Sequence, residues 1–217
     1  MQKISLHRSN RDGFTILELM VGIIVFTLGF LGAYLLVDSA GGASIRSRDE
    51  IIGANIMREQ IELIKNLRDS NWIQFRTWNS TELAKPIIET DTTFQADSYY
   101  TIMNNFTSTK TIELKRLADI SSDKWMIIND MQRATPASQI RLCIDSLGRY
   151  VHDCTGTNRK TNYASFLQIE PLKTKNTITN TQISVDRAYK ITVFFASLSK
   201  GYRLTNMSTI VTDWKNQ

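Results

Sequence analysis

The sequence predicts an α+β protein, in which a long N-terminal helix precedes a head built on an antiparallel β-sheet. Residues 14–37 are apolar except for Glu18, and apolar residues continue at helical spacing to about residue 69. Beyond residue 98, short runs of β-branched and aromatic residues alternate with polar turns, which is typical of antiparallel strands. The two kinds of element are therefore separated along the chain.

The apolar segment 14–37 is long enough to cross a membrane. Its roughly 24 residues would span about 36 Å as a helix, more than the hydrocarbon thickness of a bilayer. A cleaved secretory signal has a shorter apolar core and a small-residue cleavage site, and no such site follows this segment. Lys3, Arg8 and Arg11 precede it and Asp38 follows it, so the positive-inside rule predicts a cytoplasmic N-terminus and a head outside.

Glu18 is the only residue of the apolar segment that is charged at neutral pH. A carboxylate at the centre of a membrane helix costs about 2.5 to 3.5 kcal/mol, and less near an end. In an ordinary anchor, Glu18 would reach the lipid head groups about one turn from the cytoplasmic end. If the chain is instead cut between Gly13 and Phe14, Glu18 lies four residues after a new, positively charged amino terminus that needs a negative partner.

Around this junction the chain resembles the type IV prepilins and the pseudopilins of type II secretion. Their shared signature is a basic leader that ends in glycine, followed by residues similar to Phe-Thr-Leu-Ile-Glu-Leu. The matching residues here are Gly13, Phe14, Thr15, Leu17, Glu18 and Leu19. The motif is specific because the glycine, the carboxylate and the long apolar segment must coincide. Many pilins carry a proline about two-thirds along this segment, and this chain has none there.

The resemblance implies a maturation pathway and a set of partners. A prepilin peptidase would remove the cytoplasmic leader 1–13 by cutting after Gly13, and the exposed amine of Phe14 would be methylated. Glu18 would neutralise the amino terminus of a neighbouring subunit during assembly. The implied partners are this peptidase and methylase, other pilin subunits in a helical filament, the membrane before assembly and, indirectly, an assembly platform and its ATPase. The implied fold is that of the type IV pilins.

Residues 38–69 are predicted to continue the helix in amphipathic form, because apolar residues recur at helical spacing among charged ones. Gly41 and Gly42 leave a second interpretation open, in which a membrane helix and a separate soluble helix meet at these residues. Two adjacent glycines cost about 2 kcal/mol of helix stability. Residues 54–72 and 208–214 also resemble the corresponding parts of minor pilins known as type IV pilus modification proteins.

Residues 70–217 are predicted to form a globular β-sheet head, in which an irregular stretch, 70–98, joins the helix to the sheet. The predicted strands are 99–106, 124–128, 139–145, 149–154, 164–170, 189–196 and 206–212. The clearest hairpin joins the third and fourth of these strands, where Gly148 can supply a positive φ angle. A second hairpin joins the last two strands, with Lys200 and Gly201 at its turn.

Cys143 and Cys154 are the only cysteines, and they lie on opposite arms of the clearest predicted hairpin. A disulfide between them fits a head outside the membrane, and closing so short a loop is worth about 3 kcal/mol. Zinc is the rival, because His152 and Cys154 share a strand face, but Cys143 would supply only a third ligand. We therefore predict a disulfide and no metal site, with His152 at the surface.

The chain carries no catalytic signature, such as a phosphate-binding glycine loop, a Gly-x-Ser-x-Gly elbow or a His-Glu-x-x-His motif. We therefore expect neither enzymatic activity nor a cofactor. The net charge is +5, of which residues 1–13 contribute three cations and one anion, or +2, so that +3 remains on the rest.

Basic residues of the head could form a DNA-binding patch, although ordinary solubilising charge is favoured because no aromatic residues are interleaved with them. The residues concerned are Arg159, Lys160, Lys173, Lys175, Arg187, Lys190, Lys200 and Arg203.

Together these features predict a structural subunit of a type IV pilus, and the large head favours a minor pilin. The filament would serve adhesion, motility or DNA uptake. The precursor is expected as a single-pass protein of the cytoplasmic (inner) membrane, and the mature chain in an extracellular pilus. The alternatives are an abundant shaft pilin, a type II secretion pseudopilin, and a membrane-anchored binding module that does not polymerise and whose head recognises DNA or a surface ligand.

Overall fold

A computed structural model describes residues 15–81, 93–104, 112–117, 140–175, 182–198 and 203–214. Its elements are α1 (Ile16–Ile73), β1 (Ser98–Asn104), β2 (Ile112–Arg116), β3 (Arg141–Ile144), β4 (Tyr150–Val151), β5 (Arg159–Lys175), β6 (Gln182–Ser197) and β7 (Arg203–Thr212). The predicted α+β class, with a long N-terminal helix followed by an antiparallel sheet, is confirmed. The predicted strand 124–128 and the predicted turn at Lys200 and Gly201 lie outside the described residues.

The chain divides into two compact units, residues 1–47 and residues 48–217. In the first unit, every described residue up to Val37 is exposed, including large apolar side chains such as Leu28 and Phe30. This part of α1 is long and apolar enough to cross a membrane. A helix that is apolar on all sides and buried on none is stable in lipid or against other helices, and unstable in water.

Helix α1 continues through Gly41 and Gly42 without a break, so the alternative of two separate helices is wrong. Propagating an existing helix adds one hydrogen bond for each residue that is fixed, whereas starting a new helix is costly. The helix also ends at Ile73, later than the predicted end near residue 69.

The seven strands form one antiparallel sheet with β5 at its centre. Along one side β5 pairs with β6, which pairs with β7, and along its other side it pairs with β1 and β3. Strand β2 pairs with β1, and β4 pairs with β3. Strand β2 was not among the predicted strands, although Ile112 and Leu114 alternate with charged residues there and are buried.

The main core of the second unit lies between α1 and one face of the sheet. Its helical members are Ile56, Met57, Ile61, Ile64 and Leu67, and its sheet members include Tyr100, Ile102, Leu167, Ile169, Ile191 and Val193. Neighbouring strand residues, such as Tyr99, Phe166 and Phe194, belong to a second cluster. Because successive side chains of a strand point to opposite faces, each face of the sheet supports an apolar cluster.

Several predicted strand boundaries are wrong. The predicted strand 149–154 is reduced to β4, because the chain leaves the ladder after Val151. Strands β5 and β6 extend well beyond 164–170 and 189–196, because their polar ends pair with each other and so remain extended. Polar composition alone does not reveal such a pairing.

Candidate functional site

Helix α1 begins with a side-chain cap at Thr15. The Thr15 carbonyl accepts the first intrahelical hydrogen bond, from the amide of Leu19 at 3.1 Å. The Thr15 hydroxyl oxygen accepts a bond from the amide of Glu18 at 3.3 Å. These contacts make Thr15 the N-cap and Glu18 the third helical residue, the spacing of a capping box.

Glu18 lies in the first turn of α1 and is exposed. The unpaired amides at a helix start carry partial positive charge, so a carboxylate is electrostatically favourable at this position. Among the described residues from 15 to 37 it is the only acidic or basic side chain that is charged at neutral pH. Gly13 and Phe14, the predicted cleavage and methylation positions, lie outside the described residues.

The N-terminal sequence matches the family model of the prokaryotic N-terminal methylation motif over residues 8–34. This motif is the one found in type IV prepilins and pseudopilins, and its match supports that family for this chain. This motif implies processing by a prepilin peptidase and assembly with other pilin subunits. Comparison with curated proteins and with solved structures gives no match.

Helix α1 contributes a buried carboxylate to the head. Asp49 is 5% exposed. It accepts hydrogen bonds from the hydroxyl of Tyr163 on β5 at 2.8 Å and from the hydroxyl of Ser197 on β6 at 2.7 Å. Arg48 lies 3.5 Å away. These contacts tie the start of the head's helical part to the two central strands.

The pKa of Asp49 reflects two opposing effects. Burial favours the neutral acid and by itself raises the pKa. The hydrogen bonds from Ser197 and Tyr163, together with the charge of Arg48, outweigh burial and bring the pKa below its ordinary value. The carboxylate is therefore ionised at neutral pH and contributes to the stability of the head.

We expect Asp49→Ala to lower the free energy of unfolding by about 3 kcal/mol at neutral pH, because two buried hydroxyls lose a charged acceptor. Because the folded-state pKa is lowered, this contribution is present above about pH 4 and is lost as the pH falls through the folded pKa. Denaturant unfolding of the full chain in detergent should therefore show a smaller difference between wild type and variant at pH 3. The matched control is Asp69→Ala, since Asp69 is half-exposed and pairs with Arg68. A difference that is independent of pH contradicts this role.

Cys143 and Cys154 form a disulfide in the head. His152, which the sequence analysis placed at the surface, is buried and lines a cleft with Ile56 and Gln60 of α1. The expectation was wrong because the chain leaves the β3–β4 ladder at this point and His152 turns toward the helix. No group of three or more metal-binding side chains occurs in the part of the chain that the structure describes.

The basic residues of the head that the structure describes do not form one patch, and Lys200 lies outside the described residues. Arg159 and Lys160 begin β5, whereas Lys173 and Lys175 end it, about 43 to 53 Å away at 3.3 Å per residue. Arg203 pairs with Glu50 of α1, and Arg187 pairs with Asp213. This distribution favours solubilising charge over a DNA-binding surface.

Three residues with clear structural roles were missed by the sequence analysis. Thr15 could have been recognised from the Thr-x-x-Glu pattern that it forms with Glu18. Asp49 and Gly53 give no local signal, because their partners lie more than 100 residues away: Asp49 is 114 residues from Tyr163, and Gly53 faces Phe195.

Proposed function

We propose that this protein is a minor pilin of a type IV pilus. The observation that carries the proposal is the methylation motif at residues 8–34, which continues into an exposed apolar helix. In the apolar segment 14–37, Glu18 is the only side chain that is charged at neutral pH. The seven strands that the structure describes in the head support a minor subunit, because the additional strands offer surface beyond what a filament shaft needs.

In this proposal the precursor waits in the cytoplasmic membrane, with its N-terminus in the cytoplasm and its head outside. Prepilin peptidase cuts between Gly13 and Phe14, and the new amine is methylated. The chain then leaves the bilayer, and its apolar helix packs with those of other subunits as the filament core. The energy comes from an assembly ATPase, since the chain carries no nucleotide-binding motif.

The proposal is tested by intact mass measurement and N-terminal sequencing of the protein from native membranes and from sheared extracellular filaments. We expect a chain that begins with methylated Phe14 in both fractions. Gly13→Val is the matched control, because it should leave the leader attached and the protein in the membrane.

A wild-type chain that still begins with residues 1–13 would make the apolar segment a plain anchor and contradict the proposal. A processed chain that is absent from sheared filaments, with loss of protein secretion on deletion, would indicate a pseudopilin of type II secretion instead.

A further inference from the structure

Strand β7 is an edge strand of the sheet. It pairs with β6 over all ten of its residues, from Ser197↔Arg203 to Ala188↔Thr212, without a shift in register. Within the part of the chain that the structure describes, no strand or loop hydrogen-bonds to its outer edge. A row of backbone donors and acceptors is therefore left for solvent or for another polypeptide.

The register identifies the outward groups. The amide of Asp213 donates to the carbonyl of Arg187 at 3.0 Å, which makes these two residues a hydrogen-bonded pair. Hydrogen-bonded and non-hydrogen-bonded pairs alternate along an antiparallel ladder, so every second residue of β7 directs its N–H and C=O away from β6. These outward residues are Leu204, Asn206, Ser208, Ile210 and Thr212.

This edge lacks the features with which proteins usually prevent edge-to-edge pairing. Residues 204–212 contain no charge and no proline, and the ladder with β6 contains no bulge. Edge strands are normally interrupted by lysine, proline, a bulge or an early end, because an open edge recruits other strands. Here four of the nine residues are Ser or Thr and three are Leu, Met or Ile, with Ile210 55% exposed.

We propose that the outer edge of β7 receives an extended, uncharged segment of a different protein, which adds a strand to the sheet. Main-chain hydrogen bonds would supply the affinity, and the alternating side chains of the segment would supply the selectivity. An uncharged segment fits because each end of the edge already carries an ion pair, Arg203 with Glu50 and Arg187 with Asp213.

A second copy of this chain does not fit the edge as well. Strand β2 has only five residues, and the amide of its central residue, Leu114, already donates to the carbonyl of Thr81 at 2.8 Å. Strand β4 has only two residues. Among the described strands, only β7 itself could meet β7 along its length.

Antiparallel pairing of two β7 strands requires a two-fold axis perpendicular to the sheet. That axis would reverse residues 48–73 of α1, which pack along the sheet face. Residue 48, where each head joins its apolar segment, would then lie at opposite ends of the pair of heads. The argument against a second copy rests on the proposed anchoring of all precursors in one membrane. The amide-exchange experiment does not depend on that anchoring.

The test uses the full chain in detergent and a capped peptide of about nine alternating threonine and valine residues, the length of the edge. Amide exchange should be fast at Asn206, Ser208 and Ile210 in the free chain and slow at Met207 and Thr209. A saturating concentration of the peptide should slow amide exchange at Asn206, Ser208 and Ile210 by about tenfold or more. A peptide of the same length with alternating prolines is the control.

Two variants should remove peptide binding without unfolding the head. Ser208→Pro deletes an amide that faces outward, so the bonds to β6 remain, and Ser208→Lys adds the charge that normally protects an edge. Each should raise the dissociation constant of the peptide about tenfold or more, whereas Ser208→Thr should bind the peptide like the wild type.

The inference is overturned if the outward amides are already protected in the free chain, or if the peptide leaves their exchange unchanged. It is also overturned if Ser208→Cys gives a disulfide-linked dimer in native membranes. Residue 208 would lie on the two-fold axis of a β7–β7 pair, so this dimer would mean that a second copy covers the edge. Failure of processing at Gly13 would affect the proposed function and leave this result intact.

Discussion

Replacing Glu18 by alanine is expected to reduce incorporation into sheared filaments by about tenfold or more. Cleavage after Gly13 would leave a positive amine close to the start of a helix whose first amides are also electropositive. If Glu18 stabilises the assembled state by about 1.4 kcal/mol by neutralising this amine, its loss lowers the assembly equilibrium constant tenfold. The measurement is the ratio of filament-bound to membrane-bound protein, determined by quantitative immunoblotting.

The membrane fraction separates an assembly defect from an anchoring defect. Removing the carboxylate from an apolar helix makes insertion easier, so the membrane level of Glu18→Ala should equal or exceed that of the wild type. Thr27→Ala is the matched control, because the Thr27 hydroxyl donates only to the Ile24 carbonyl of its own helix. Incorporation of Glu18→Asp into filaments should lie between that of Glu18→Ala and that of the wild type. Normal incorporation of Glu18→Ala would remove the proposed assembly role of this residue.

Replacing Gly53 by alanine is expected to destabilise the head by about 2 kcal/mol, although alanine favours a helix by about 1 kcal/mol over glycine. An added Cβ at Gly53 would lie 2.5 Å from Cδ1 and 2.7 Å from Cε1 of Phe195. The Phe195 ring is 3% exposed and packs against Tyr163, with 5.5 Å between ring centroids. Since Tyr163 is held by Asp49, the ring has little room to withdraw.

Denaturant unfolding of the full chain measures this effect. The control is Gly41→Ala in the same helix, where an added Cβ meets nothing within 4 Å, and this change should be neutral or stabilising. If the Phe195 ring is the cause, Phe195→Leu should relieve part of the cost of Gly53→Ala in a double-mutant cycle. Equal effects of the two glycine substitutions would contradict the close contact.

The head shows where prediction from sequence succeeds and where it fails. Strands β1, β6 and β7 were located because β-branched and aromatic residues dominate their centres. Strand β2 was not predicted because three of its five residues are charged. Strand β4 was predicted too long because the chain leaves the ladder after Val151, which the local sequence does not show. Strand ends depend on the partner strand, which a local pattern does not contain.

The sequence by itself determined the long apolar helix, the methylation motif with Glu18, and the α+β class. These features depend on composition and on periods of two or 3.6 residues, which are local properties of a chain. Only the tertiary structure decided that Asp49 is bound by Tyr163 and Ser197, that Gly53 makes room for Phe195, that His152 is buried, and that β7 is left at the edge. Each of these depends on which distant residues the folded backbone brings together, and no local pattern specifies that choice.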